Sequence, residues 1–273
     1  MESCINEYFI KNDHVYASEK FNEEYVVDGK CIYEVIRIID GVPIFLKEHL
    51  LRFEKSLELA KESKTITMDR VNKIVDDLIN SNNVENGNIK IVINKENIFM
   101  FSIKHSYPTE EMYRKGVKTI LYFGERNNPN AKVIDNSFRE KVNRKIEESN
   151  CYEAILVNHE GNITEGSKSN IFMVKGNEVF TAPVDGVLPG ITREQIIKVC
   201  KELNLKVKEE NINYDNIKGV DGLFISGTSP NVLPIREIEG IIEYSSIIDT
   251  IYKIKNQFDI KIKENLKNYK AIK

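Results

Sequence analysis

The chain has 273 residues, enough for one large domain or two modest ones. Apolar residues make up 41% of it, which supports substantial cores, and the 30% of charged residues nearly cancel to a net charge of −3. That balance gives no reason to expect nucleic acid or an anionic membrane as partner, and no apolar run approaches the roughly 18 residues that span a bilayer.

The opening stretch MESCINEYFIKNDHVYASEKF has no basic segment leading into an apolar one, so a cytoplasmic protein is expected. Next, CIYEVIRIIDGVPIFL predicts a hairpin, two β-rich runs around Asp40-Gly41. KEHLLRFEKSLELAKES follows with Leu50, Phe53, Leu57 and Ala60 at helical spacing. TMDRVNKIVDDLINSN predicts a second helix with Val71, Ile74, Val75 and Leu78 on one face, and GNIKIVINKENIFMFSIKH a second hairpin turning at Asn94 to Asn97. Strands and helices mix here as in an α+β domain. GERNNPNAK then crowds Gly, Asn and Pro together, which suits an interdomain connection.

Beyond it come a helix (FREKVNRKIEESN), a strand pair turning at NHEGN, the strands NIFMV and EVFTAP, and a helix opened by Gly190. A strand GLFISG and an amphipathic tail, SIIDTIYKIKNQFDIKIKENLKNY, close the chain. The expected organisation is an N-terminal α+β domain over 1–122, a connection over 123–130 and a larger C-terminal domain over 131–273. Small molecules usually bind in clefts between such domains. Cys4, Cys31, Cys151 and Cys200 are scattered, with no C-x-x-C pair and no histidine in ligand spacing, so reduced thiols and no metal site are expected.

Four stretches carry chemistry. Lys132, in NPNAKVIDNS, reads either as one more surface lysine or as an amine held in a pocket, where desolvation suits it to Schiff-base chemistry. Glu165, in NITEGSKSNIF, is either a solvated turn residue or a buried carboxylate facing a heterocyclic nitrogen. The glycines of that segment do not make a phosphate-cradling P-loop, because Ser167-Lys168-Ser169 breaks the required order. GVLPGITREQ starts a helix at Gly190-Ile191-Thr192: Thr192 could cap it, or its free N–H groups could hold an anion. FISGTSPNVLPI ends a strand on Ser226-Gly227-Thr228-Ser229, a second hydroxyl-rich place to meet an anion.

These stretches occur in a telling order: YEVIRIIDGVPIFLKEHLLRFEKS, AK, EAILVNHEGNITEGSKSNIFMV, VFTAP, VLPGITR and ISGTSPNVLPI. In that order and spacing, over roughly residues 30 to 240, the chain resembles the class IV, fold-type IV, pyridoxal-phosphate-dependent aminotransferases. That group includes branched-chain and D-amino-acid aminotransferases and aminodeoxychorismate lyase. The resemblance implies a two-domain α/β (α+β) fold of the D-amino-acid aminotransferase kind, with pyridoxal 5′-phosphate as cofactor. It also implies homodimers, with amino acids and 2-oxo acids as the small-molecule partners. By the same resemblance, Lys132 joins the cofactor and shuttles a proton, and Glu165 keeps the pyridine nitrogen protonated. Arg52, Ile191, Thr192 and Thr228 hold the phosphate, and His49 occupies a motif position without a chemical role.

The substrate side matches poorly. Where branched-chain members carry a tyrosine five residues after the lysine, this chain has Ser137, preceded by Asp135 and Asn136. IVINKENIFMF offers no arginine for a substrate carboxylate; Lys95, Lys104 and His105 are the nearest cations and read as solvated. Tyr25 and Tyr33 lie near the place of a pocket tyrosine without aligning securely. The expected activity is amino transfer, with a lyase on the same fold and a non-catalytic cofactor-binding protein as the alternatives.

Overall fold

In the computed structural model the described residues are 3–25, 31–61, 67–94, 97–127, 129–134 and 136–272; Lys95 and Asp135 lie outside them. They form two compact units, one within 1–106, 131–134 and 262–273, the other within 107–130 and 135–261.

The first unit contains β1 (Tyr8–Lys11), β2 (His14–Ala17), a short α1 (Phe21–Glu24), β3 (Cys31–Ile39) and β4 (Val42–Pro43). Helices α2 (Leu46–Ala60) and α3 (Met68–Asn82) and strands β5 (Gly87–Asn94) and β6 (Asn97–Ile103) follow. The strands pair antiparallel in the order β2-β1-β6-β5-β3-β4. Asp40 and Gly41 both take positive φ, 49° and 73°, as a two-residue hairpin turn requires. Asn12 and Asp13 do the same between β1 and β2, at 49° and 71°, a hairpin the apolar pattern alone does not announce. Thr67 caps α3 by accepting from the Arg70 N–H.

Because side chains alternate along a strand, β3 and β5 present two different faces. Ile32, Ile36 and Ile38, with Ile89, Ile91 and Ile93, pack against Leu50, Phe53 and Leu57 of α2 and Val71, Ile74, Val75 and Leu78 of α3. The other face is aromatic: Tyr33, Val92, Phe99 and Phe101 gather Phe9, Phe21 and Tyr25. Residues 131–134 run along β3, where the Tyr33 N–H donates to the Lys132 carbonyl and the Ile134 N–H to that of Cys31.

The second unit comprises α4 (Glu110–Lys115), β7 (Val117–Phe123), α5 (Asn136–Glu148), β8 (Glu153–Val157), β9 (Asn162–Gly166), β10 (Asn170–Lys175) and β11 (Glu178–Thr181). Then come α6 (Ile191–Glu202), β12 (Lys206–Glu209), β13 (Ile212–Asn213), β14 (Gly222–Gly227), β15 (Asn231–Ile238), β16 (Ile242–Glu243) and α7 (Asp249–Ile272), whose residues from Ile262 onward belong to the first unit. The mixed sheet runs β12-β11-β10-β14-β15-β7-β8-β9-β13, with β16 beside β15. Its centre is apolar on both sides, and the Phe172 and Phe224 rings of adjacent strands stack 4.9 Å apart. Mixed helix and sheet is therefore the observed class. No helix among the described residues is long and apolar enough to cross a membrane.

Candidate active site

In the first unit the site is built around a buried acid on an apolar face. Glu34 occupies the β3 register of Ile32 and Ile36 and is fully buried. A carboxylate there needs partners from the helix packed on it. Arg52 of α2 supplies a fork, with Nε and Nη2 each 2.7 Å from the Glu34 oxygens, and His49, one turn earlier, donates from Nδ1 at 2.9 Å. Burial works to raise the Glu34 pKa, but the Arg52 charge and the bonds from His49 and Arg52 hold it well below the usual carboxylate range. Burial, helped by the Arg52 and Lys132 charges, pushes the His49 imidazole below its ordinary value against the pull of Glu34.

Both groups therefore bind protons less readily folded than unfolded, and folding stability is lost as pH falls. The His49 contribution should fade first, as pH drops through about 6.5, its unfolded value. The Glu34 contribution should fade as pH falls below the carboxylate range toward its lowered folded value. His49→Gln should remove the first step and keep the second, as read by urea midpoints from neutral to acidic pH.

Lys132 sits on the strand-like segment beside β3 with its side chain half-buried and its Nζ 4.9 Å from the centroid of the Tyr33 ring. Its N–H donates to Ser56 Oγ at 3.4 Å, and that hydroxyl donates to the Arg52 carbonyl at 2.9 Å. Lys132, Arg52 and His49 thus share one neighbourhood. Two of the five N–H donors of Arg52 are committed to Glu34, so whatever else the guanidinium binds, Glu34 sets its orientation.

In the second unit Glu165, Asn170 and Ser226 lie side by side across β9, β10 and β14. Glu165 is buried, not a solvated turn residue: its Oε1 accepts from Arg126 Nη1 at 3.1 Å and its Oε2 from the Leu188 N–H at 3.0 Å. Asn170 Nδ2 donates to the Leu188 carbonyl, so one loop residue is gripped from both sides. Three residues on, α6 begins. Gly190 is its N-cap, and no side chain caps it; Thr192 is not a cap. Gly190 has an ordinary φ of −68°, and its need for no side chain is one of space: a Cβ there would lie 2.1 Å from Asn170 Oδ1. Ile191 and Thr192 are buried just inside the helix. Ser226 Oγ is buried with no hydrogen-bond partner among the described residues, and Thr228 stands in the turn that follows β14.

A family model described as amino-transferase class IV matches residues 31–238. The chain belongs to that family. Among relatives of this class IV aminotransferase, a D-alanine aminotransferase of Staphylococcus epidermidis is 30% identical, covering 86% of this chain and 88% of its own. A branched-chain-amino-acid aminotransferase of Escherichia coli is 28% identical, covering 78% and 77%. The fold matches the crystal structure of a branched-chain aminotransferase from the thermophilic archaeon Thermoproteus uzoniensis with norvaline, at a TM-score of 0.81 and 22% identity over 97% of each chain.

The class IV aminotransferase also holds residues that its motifs do not single out. Glu34 carried a signal, since an acid in the register of Ile32 and Ile36 must be neutralised. Arg126 carried none, because an arginine in GERNNPNAK reads as solvated connection. Lys104 is exposed, Ser137 is exposed in the first turn of α5, and His105 lines a cavity of about 370 Å³ with Ser102 and Asn86. Tyr25 stacks on Phe21 in the aromatic core, while Tyr33 lies against Lys132.

Proposed function

We propose that this enzyme is a pyridoxal-phosphate-dependent aminotransferase that moves an amino group between an amino acid and a 2-oxo acid. The observation that carries the reading is the second unit's pairing of a buried carboxylate, Glu165, with a helix start that has no side-chain cap, three residues beyond the loop residue it grips. The set fits the cofactor chemically. The α6 amides and Ser226 Oγ are donors that suit a phosphate, and Glu165 is an acceptor that suits a protonated ring nitrogen. When bound, pyridoxal phosphate supplies an aldehyde that condenses with amines and a ring that takes up the electron pair left at Cα.

The chain's own groups do the rest. Lys132 Nζ anchors the cofactor, then takes the proton from substrate Cα and returns it. Glu165, fixed by Arg126 and the Leu188 N–H, accepts a hydrogen bond from the ring nitrogen and keeps the proton there. By the family resemblance, Arg52, oriented by Glu34, and the Ile191, Thr192 and Thr228 donors would each contribute to holding the phosphate. Homodimer assembly follows the family resemblance, and a cytoplasmic setting is part of the same proposal. The names of the relatives favour transfer over elimination.

The test is to incubate the reconstituted enzyme with amino acids of both hands and 2-oxoglutarate, and to quantify new glutamate. Ammonia or pyruvate released without a new amino acid would mark the lyase, and no conversion at all would leave a binding protein. For the phosphate cup, Arg52→Ala should weaken cofactor binding on the order of 10- to 100-fold, from the roughly 1.5–3 kcal/mol of a charge-assisted bond. It should also lower the melting midpoint, because it leaves Glu34 buried without its fork. Thr192→Val should weaken binding less. A cofactor titration reads both, and unchanged affinity in Arg52→Ala would remove Arg52 from the cup.

A further inference from the structure

We infer that Glu153, a buried acid at the start of β8, is the positioning residue that holds Glu165 and Asn170 where they grip Leu188. The inference rests on the aminotransferase reading and names what keeps its ring-facing carboxylate in place. Glu153 is 5% exposed and opens a strand whose other residues, Ala154, Ile155, Leu156 and Val157, are apolar and fully buried. A carboxylate there is expensive unless donors converge on it. Among the described residues its partners are uncharged donors. Oε1 accepts from the Ala154 N–H and the Ser167 N–H, each at 3.0 Å, and from Ser167 Oγ; Oε2 accepts from Ser169 Oγ at 3.0 Å.

Three of those four donors lie in the turn that joins β9 to β10. Glu165 and Asn170 face each other across its ends, and the Gly166 N–H closes it on the Ser169 carbonyl at 2.7 Å. The turn sits tight on the acid: a Cβ on Gly166 would lie 2.1 Å from Ser169 Oγ and 3.3 Å from Glu153 Oε2. Just before it the pairing of β8 with β9 shifts register. Between the pairs Ile155–Gly166 and Val157–Ile163, Thr164 and Glu165 together stand opposite Leu156 alone. Such a bulge re-aims side chains and interrupts the ladder. The ladder therefore does not by itself specify the direction of Glu165, and the clamp that follows supplies the missing constraint. An apolar side chain at 153 would fill the space at lower cost, so what the acid adds is direction. Direction matters here, because misplacing a reacting group by about 1 Å can cost on the order of 10²-fold in rate.

Glu153→Ala and Glu153→Gln holoenzymes would be compared with the parent, each well below its own melting midpoint. Glutamine keeps the clamp: its oxygen takes the place of Oε1, and its NH₂ group faces Ser169, whose hydroxyl can turn to accept. Alanine removes it. Because Glu165 acts mainly in the transition state, a displaced Glu165 lowers kcat rather than raising KM. Glu153→Ala should lose about tenfold or more in kcat with KM within about threefold, and Glu153→Gln should stay within about threefold of the parent. In a Glu165→Gln background the further loss from Glu153→Ala should shrink to about twofold, because the two residues act as one unit. The cofactor-free chain gives a second readout. In Glu153→Ala the Leu188 N–H should exchange with solvent about tenfold faster than in the parent, while the Ile225 N–H of β14 changes by less than about threefold.

A Glu153→Ala enzyme that melts lower but keeps kcat within about twofold of the parent overturns the inference and leaves Glu153 a packing residue. So does a loss that stays as large in the Glu165→Gln background, or one that Glu153→Gln does not restore, which would mark the charge and not the clamp. Equal acceleration of the Leu188 and Ile225 amides also overturns it, since that marks loosening of the whole unit. If Glu153→Ala does not fold, Ser169→Ala, which removes the donor on Oε2, takes its place under the same kinetic and exchange criteria. A parent that transfers no amino group refutes only the aminotransferase reading, and the exchange arm then decides the inference by itself.

Discussion

Lys132→Ala should abolish amino transfer, lowering the single-turnover rate by about four orders of magnitude or more, on the order of 5 kcal/mol in the barrier. The fold should survive. The hydrogen bonds that tie Lys132 to β3 and α2 are made by its backbone, which accepts from the Tyr33 N–H and donates to Ser56 Oγ, and alanine keeps both. What disappears is the group that anchors the cofactor and the base that moves the Cα proton; positioned proton transfer alone contributes roughly 10²–10⁴-fold. Lys132→Arg should not rescue, because a guanidinium does not give up its proton near neutral pH. In the parent protein, borohydride reduction after reconstitution should fix the cofactor on the peptide containing Lys132, as read by mass spectrometry. A label on another lysine, or none, would return Lys132 to the role of a half-exposed surface residue.

How much of this could be read from the chain alone depends on the range of the interactions. Asp40-Gly41 between two β-rich runs dictates its hairpin locally, and the spacing of Leu50, Phe53 and Leu57 dictates α2; both are present. The α6 start was legible as a possible anion site, but the reason for Gly190 was not. That reason is Asn170 Oδ1, brought in by β10 from twenty residues earlier. The same limit hid the partner of Glu165. Arg126 is remote in sequence and sits among Asn and Pro residues, and only the β8–β9 pairing returns Glu165 toward it. The burial of Lys90 was hidden for the opposite reason. Strict alternation marks Asn88, Lys90, Val92 and Asn94 as a half-polar face, which ordinarily looks to solvent, whereas the N-terminal hairpin and α1 cover it with Phe9, Phe21 and Tyr25. The parallel insertion of β7 between β15 and β8 has no local signature at all.

Glu165→Gln should leave the cofactor bound and slow the half-reaction by about a hundredfold, on the order of 3 kcal/mol. The carboxylate has two donors aimed at it, Arg126 Nη1 on Oε1 and the Leu188 N–H on Oε2. Glutamine offers one oxygen and one NH₂ group, so one of those donors must face a donor, at about 1–3 kcal/mol of stability. The melting midpoint should fall modestly for that reason. The rate should fall for a different one. A neutral amide cannot hold a proton on a ring nitrogen as a carboxylate does, and that proton matters most when the electron pair from Cα reaches the ring. An interaction strongest in the transition state lowers kcat, whereas one equally strong in the ground state raises KM. The two effects are therefore separable: single-turnover kinetics at saturating donor reads the electronic role, and thermal denaturation of the same sample reads the structural one. A variant that melts lower but turns over within twofold of the parent would make Glu165 a brace for Arg126 and Leu188 and nothing more.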